Sequence, residues 1–133
     1  MRLWHKDLIP YLPRQQLLGQ WREICAIARN IEKNGTPNHV LVNKIMDYPA
    51  SHFNRYAHMV FAEMQKRGYK AEWKSFTEQG MCPCIADDNE LFKNWHTKRY
   101  LRQCLSNLQE KADCGAVPEE EWERITDEWP WFE

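Results

Sequence analysis

Residues 14–33, RQQLLGQWREICAIARNIEK, decide the fold. Leu17, Trp21, Ile24, Ala28 and Ile31 step by four, three, four and three along this stretch. That spacing lays the apolar side chains along one stripe of a 3.6-residue helix. Asn34-Gly35-Thr36-Pro37 ends the predicted helix, with Gly and Pro in the order that closes a last turn and forbids another. Upstream, Arg2 to Trp4 read as a short arm, and Pro10 and Pro13 bracket Tyr11 and Leu12 and forbid a helix across them. Downstream, Phe53, Ala57, Val60, Phe61 and Met64 form the buried stripe of a second helix over 50–67, ended by Gly68. Between the two helices, residues 38–46 (NHVLVNKIM) suit a strand and a short helix equally, because periodicity does not separate them.

Residues 69–89 read as an irregular connection. Asp88 or Asn89 is the expected cap of a third helix over 90–112, with Leu101, Cys104, Leu105 and Leu108 inward and Cys114-Gly115 closing it. Pro118 and the three Glu behind it open one more short helix to Arg124. The expected fold is all-α: a compact single domain over 1–133, built as a bundle of about three main helices with an N-terminal arm and an aromatic C-terminal tail. Trp129, Trp131 and Phe132 of that tail carry enough apolar area to pack on the second or third helix.

Composition narrows the function classes. An apolar fraction of 43% supports a true core, and seven Trp against five Gly exclude a linker or a fibre. No apolar run approaches the roughly 18 residues that span a bilayer, and no apolar stretch follows the charged N-terminus as in a signal peptide. Five Cys, an odd number without framework spacing, suit reduced thiols in a cytoplasmic protein. Charge is uneven. Residues 1–116 hold 17 Lys and Arg against 12 Asp and Glu, whereas 117–133 hold one Arg against seven acids. A basic body with an acidic end suits a polyanion on one face, and it equally suits an ordinary solvated surface.

Several residue groups bear on chemistry. Glu23 sits mid-helix with Gly19 one turn before it and Ala26 near one turn after, which leaves its surroundings open. The plain alternative is a surface carboxylate paired with Arg22 or a nearby Lys. Basic residues fall into three groups: Arg14, Arg22 and Arg29; Lys66, Arg67, Lys70 and Lys74; and Lys98, Arg99 and Arg102. Each suits phosphate if the fold brings it to a shared face. Cys82-Pro83-Cys84 is too tight for the usual zinc pair and has no second close pair, so no metal is expected there. His39, His52 and His58 lack the spacing of a catalytic pair. No Gly-rich phosphate loop occurs, and no cofactor is expected.

The stretch Gln15-Gln16-Leu17-Leu18-Gly19-Gln20-Trp21-Arg22-Glu23 resembles the first helix of the pyrimidine-dimer DNA glycosylase family, the phage endonuclease V type. Met1-Arg2-Leu3-Trp4 resembles the start of its bacterial branch, Glu63 to Tyr69 the end of its second helix, and the aromatic tail is a looser likeness. The resemblance implies a compact all-α domain with its N-terminus lodged between helices. It implies glycosylase and abasic-site lyase activity on damaged double-stranded DNA, begun by the N-terminal α-amine. On this chain it assigns the amine to Met1, since a bulky Arg2 keeps Met1 in place, and the catalytic carboxylate to Glu23. Arg2 and Arg22 become contacts for phosphate or a flipped nucleotide. Gln16 stands where the family carries a His; it is able to hydrogen-bond but not to take a proton. The expected site therefore has the Met1 amine near Glu23, in a cleft rimmed by Arg2 and Arg22. Two other readings stand beside it: a nucleic-acid-binding module of the same fold without the chemistry, and a helical protein-interaction domain using the acidic, Trp-rich end.

Overall fold

A computed structural model of the chain describes residues 2–77 and 88–132. The described residues are helical throughout, without a strand. Four α-helices carry the fold: α1 over Arg14–Asn34, α2 over Ala50–Lys66, α3 over Lys98–Asp113 and α4 over Glu119–Glu128. Short 3-10 turns fill the connections. No helix among the described residues is long and apolar enough to cross a membrane.

Proline sets three of the four helix starts. Pro13, Pro49 and Pro118 hold φ between −58° and −56° with extended ψ, and α1, α2 and α4 begin at the next residue. The fixed ring angle directs the chain into the helix without a side-chain cap. Gly68 ends α2 with φ +81°, a left-handed value open to Gly without strain. There the Tyr69 amide reaches back to the Met64 carbonyl at 2.9 Å and the Gly68 amide to Gln65 at 3.0 Å, the Schellman pairing.

The predicted stripes point inward. Leu17, Trp21, Ile24 and Ala28 of α1 are buried, as are Phe53, Ala57, Val60 and Met64 of α2 and Leu101, Cys104, Leu105 and Leu108 of α3. Leu3, Leu8, Ile9 and Leu12 join the same apolar cluster, which runs on to Ile125 of α4. The N-terminal segment is thus a core element.

Two local expectations need correction, and one open alternative is resolved. The third helix starts at Lys98, eight residues later than expected. Phe92 (φ 51°) and Asn94 (φ 73°) take left-handed backbone values, which no α-helix accommodates. Thr97 is the true cap, its side chain accepting from the Tyr100 amide at 3.3 Å. Asp88 instead grips Arg55 of α2 through two bonds of 2.8 and 2.9 Å. The prolines do not exclude every helix near Tyr11: a 3-10 helix spans Lys6–Tyr11 with Pro10 inside it. Its i→i+3 bonds allow a short run that the α ladder would not, and Leu12 then turns extended. Of the two alternatives for residues 38–46, the structure takes the short helix and not the strand. These residues form a turn followed by a 3-10 helix over Asn43–Asp47.

The tail packs back on the body. Trp129 sets its edge on Tyr11, with ring centroids 5.1 Å apart, and shares a groove with Met59 and Ala62 of α2. Trp131 lies under Lys98 and Arg102 of α3, at 4.7 and 5.4 Å. Phe132 leans on Trp122 of α4.

Candidate functional site

α1 presents Gln16, Gln20 and Glu23 on one face, since positions four and three apart share a helix side. The N-terminal arm runs along that face. Gln20 holds it by both ends of its amide: Oε1 accepts from the Trp4 amide at 2.7 Å, and Nε2 donates to the Arg2 carbonyl at 2.9 Å. The Tyr56 hydroxyl of α2 donates to the Trp4 carbonyl at 2.5 Å and lies 3.0 Å from Gln20 Oε1. From α3, the Tyr100 hydroxyl donates to the Leu3 carbonyl. Next along, the Lys6 amide donates to His96 Nδ1 at 3.0 Å. Three helices and the segment before α3 thus hold one short stretch of backbone.

Glu23 stands at the outer end of this clamp. Its Oε2 accepts from the Arg2 backbone N–H and from Gln20 Nε2, each at 3.5 Å. The carboxylate is half-buried. The Arg2 nitrogen that faces it is the amide joining Arg2 to Met1; Met1 itself lies outside the described residues. The Arg2 guanidinium lies 5.5 Å from the centre of the Trp4 ring, and its charge acts on Tyr100 and Cys104. Burial pushes the Cys104 thiol up and keeps it protonated, and burial does the same to the Tyr56 and Tyr100 phenols. These phenols are therefore hydrogen-bond donors that fix the arm, not bases.

Beneath the arm, burial is the largest cause that lowers His96, to about 2, with the neighbouring His5 and Lys6 adding to it. Neutral His96 has its Nδ1 engaged by Lys6, while its buried Nε2 has no partner. His5 stacks on it at 5.2 Å, and burial lowers His5 too.

A groove of about 510 Å³ opens beside the arm. It is lined by Arg2, by Val40, Leu41 and Lys44 of the loop before α2, and by Trp95, Tyr100 and Gln103. Arg99, Gln103 and Asn107 also line a second hollow of about 510 Å³ with Lys98 and Arg102. The basic group on α3 therefore joins Arg2 and Lys44 along one continuous surface. Other predicted cations serve the fold. Arg67 donates to the carbonyls of Leu12 and Pro10 at 2.7 and 3.0 Å and pairs with Glu63 at 2.9 Å. Arg14 lies over the Tyr69 ring.

Arg22 is exposed, and its guanidinium tip lies about 4.0 Å from where a Cβ on Gly19 would sit. It stands outside the lining of the Arg2 groove. Gln16 is half-buried, and its Oε1 is shielded from water without a hydrogen-bond partner. Cys82 and Cys84 lie outside the described residues. Among the described residues no cluster of His, Cys, Asp or Glu is able to hold a metal ion.

A family model described as pyrimidine dimer DNA glycosylase matches residues 1–75. The chain belongs to the pyrimidine dimer DNA glycosylase family. No curated protein and no solved structure matches it. Membership suggests glycosylase activity and implies damaged DNA as the substrate. The family match takes in the arm, all of α1 with Glu23, and all of α2 with Tyr56. Tyr100, His96 and the basic face of α3 lie beyond it.

Sequence reasoning singled out Arg2 and Glu23, which the fold brings together. It passed over Gln20, Tyr56 and Tyr100. A Gln inside an otherwise apolar helix stripe was the available signal for Gln20. The two tyrosines bond backbone carbonyls of the arm, and such contacts leave no motif.

Proposed function

We propose that this single-domain protein is a DNA repair glycosylase with abasic-site lyase activity, acting on damaged double-stranded DNA through its N-terminal amine. The observation that carries the reading is the Arg2 amide 3.5 Å from the Glu23 carboxylate, on an arm held by Gln20, Tyr56 and Tyr100. Such a clamp has little purpose for a loose chain end. It suits an end whose position matters.

The chemistry follows from an α-amine. Its ordinary pKa near 7.7–8.0 leaves a useful neutral fraction at pH 7, far more than a Lys side chain has. The Met1 nitrogen attacks sugar C1′, the bond from C1′ to the base breaks, and the base leaves with the electron pair and takes up a proton. The sugar ring opens to an iminium between C1′ and the Met1 nitrogen. Loss of a proton from C2′ then drives β-elimination: the C3′–O bond breaks, the 3′ phosphate departs and the strand is cut. Water hydrolyses the iminium and frees the amine. Glu23 stabilises the cationic sugar and iminium and moves the protons. Arg2 and Arg22 contact phosphate or the extruded nucleotide, and Gln16 makes a secondary contact through its amide N–H. Lys44, Lys98, Arg99 and Arg102 continue the cationic path for the DNA backbone.

The test is strand cleavage of an abasic-site duplex. Glu23→Gln is expected to lower cleavage by about a hundredfold or more while DNA affinity stays within a few-fold. Undiminished cleavage would remove Glu23 from the chemistry. Binding without cleavage in the unaltered protein would leave a DNA-binding module of the same fold.

A further inference from the structure

Among the described residues, four large apolar side chains are exposed, and three of them belong to one loop: Val40 at 81%, Leu41 at 50% and Met46 at 48%. The loop is not a slack segment. Val42 and Ile45 are buried and anchor it to the core. The Val42 and Asn43 amides bond the His39 carbonyl at 3.0 and 2.9 Å, so Val40 and Leu41 occupy the two central positions of a tight turn. Asn43 Oδ1 accepts from the His39 amide at 3.0 Å, and His39 Nδ1 accepts from the Leu41 amide at 3.3 Å. Tyr48 fastens the loop's far end through the Lys93 carbonyl at 2.6 Å. The fold thus holds two apolar side chains out in water on a braced tip.

The surroundings say what the tip meets. Val40 and Leu41 line the groove shared with Arg2, Lys44 and Arg99. An apolar point set among cations fits a partner with phosphates outside and an apolar stack inside. The geometry points to a wedge: the Val40–Leu41 tip enters a base step of the duplex beside the damaged nucleotide, with Lys44 and Arg99 on the flanking phosphates. Apolar side chains that part a base step repay part of the unstacking and exclude water from the gap. This opens the helix where the adjacent arm acts. The inference rests on the DNA-repair reading above.

The experiment uses a duplex with an abasic site and 2-aminopurine at the neighbouring position, whose fluorescence rises on unstacking. The full protein is expected to raise the signal on binding. A V40S/L41S double variant is expected to bind without the rise, and V40I/L41M, which keeps the tip apolar, to restore it. Borohydride trapping on a single-stranded abasic oligonucleotide, where no stack needs opening, reports the chemistry alone. The ratio of duplex to single-strand rates is expected to fall about tenfold or more in V40S/L41S. A variant that keeps both the rise and the ratio overturns the wedge. So does a concentration-dependent dimer in sedimentation that V40S/L41S abolishes with the fluorescence rise intact, since the tip would then serve a second copy. Failure of the unaltered protein to trap the single strand would instead count against the lyase reading, and the fluorescence of the bound duplex would still judge the wedge.

Discussion

The arm at residues 2–5 and the loop at 38–46 border one groove and handle apolar residues in opposite ways. In the arm, Leu3, Trp4 and His5 are buried, and the backbone is held by side chains from α1, α2 and α3. In the loop, the backbone braces itself and Val40 and Leu41 stand out in water. An element built for stability buries its apolar groups, as the arm does. The loop forgoes that gain on the side that faces the groove. The difference separates a part that must stay in one place from a part that meets something else.

Acid is expected to have the largest effect, and to act on the arm. Burial keeps His96 neutral when folded, far below the 6.5 it has when unfolded. A base with a lowered folded pKa stabilises the fold above the unfolded value, and that stability is lost as pH falls below about 6.5. Protonation also turns Nδ1 into a donor, which ends its bond from the Lys6 amide. Chemical denaturation between pH 7.5 and 4.5 is expected to show a steep loss of stability, flattened in His96→Asn. An unchanged slope in the variant would place the acid sensitivity elsewhere.

Truncation sharpens the contrast next. Leu3→Ala removes a fully buried side chain and is expected to destabilise by about 2–5 kcal/mol. Leu41→Ala, on the loop, is expected to change stability by no more than about 0.5 kcal/mol. Equal losses at the two sites in urea melts would erase the distinction.

A smaller effect concerns the groove's cationic extension. Arg99→Ala with Arg102→Ala is expected to weaken duplex binding about tenfold. The slope of log affinity against log salt is expected to become shallower by about 0.9 for each phosphate that the variant no longer neutralises. Titrations from 50 to 200 mM salt measure it. An unaltered slope would take α3 out of the DNA path.

Much of this was legible in the residues, and the gaps have physical reasons. The stripes of α1 and α2 set both helices to within a residue, because burial and the 3.6-residue period agree there. The start of α3 was misjudged because Phe92 adopts a left-handed backbone, a state that a bulky residue does not signal and tertiary packing imposes. Residues 38–46 leave strand and short helix open for a related reason. Val40 and Val42 look alike in sequence, yet one is 81% exposed and the other fully buried. Gly19 and Ala26 at helical spacing draw attention to Glu23, but only the resemblance assigns it a catalytic role. The clamp on the arm was invisible, since Tyr56 and Tyr100 reach backbone carbonyls 52 and 97 residues away in sequence.

In the proposed reaction the chain's own amino end forms the covalent bond to DNA. Borohydride reduction during reaction with an abasic duplex, followed by proteolysis and mass spectrometry of the adduct, tests it directly. The expected result is a sugar-derived mass on the N-terminal peptide, at the Met1 nitrogen, and no adduct once that amine is acetylated. An adduct on a lysine, or trapping that survives acetylation, would contradict it.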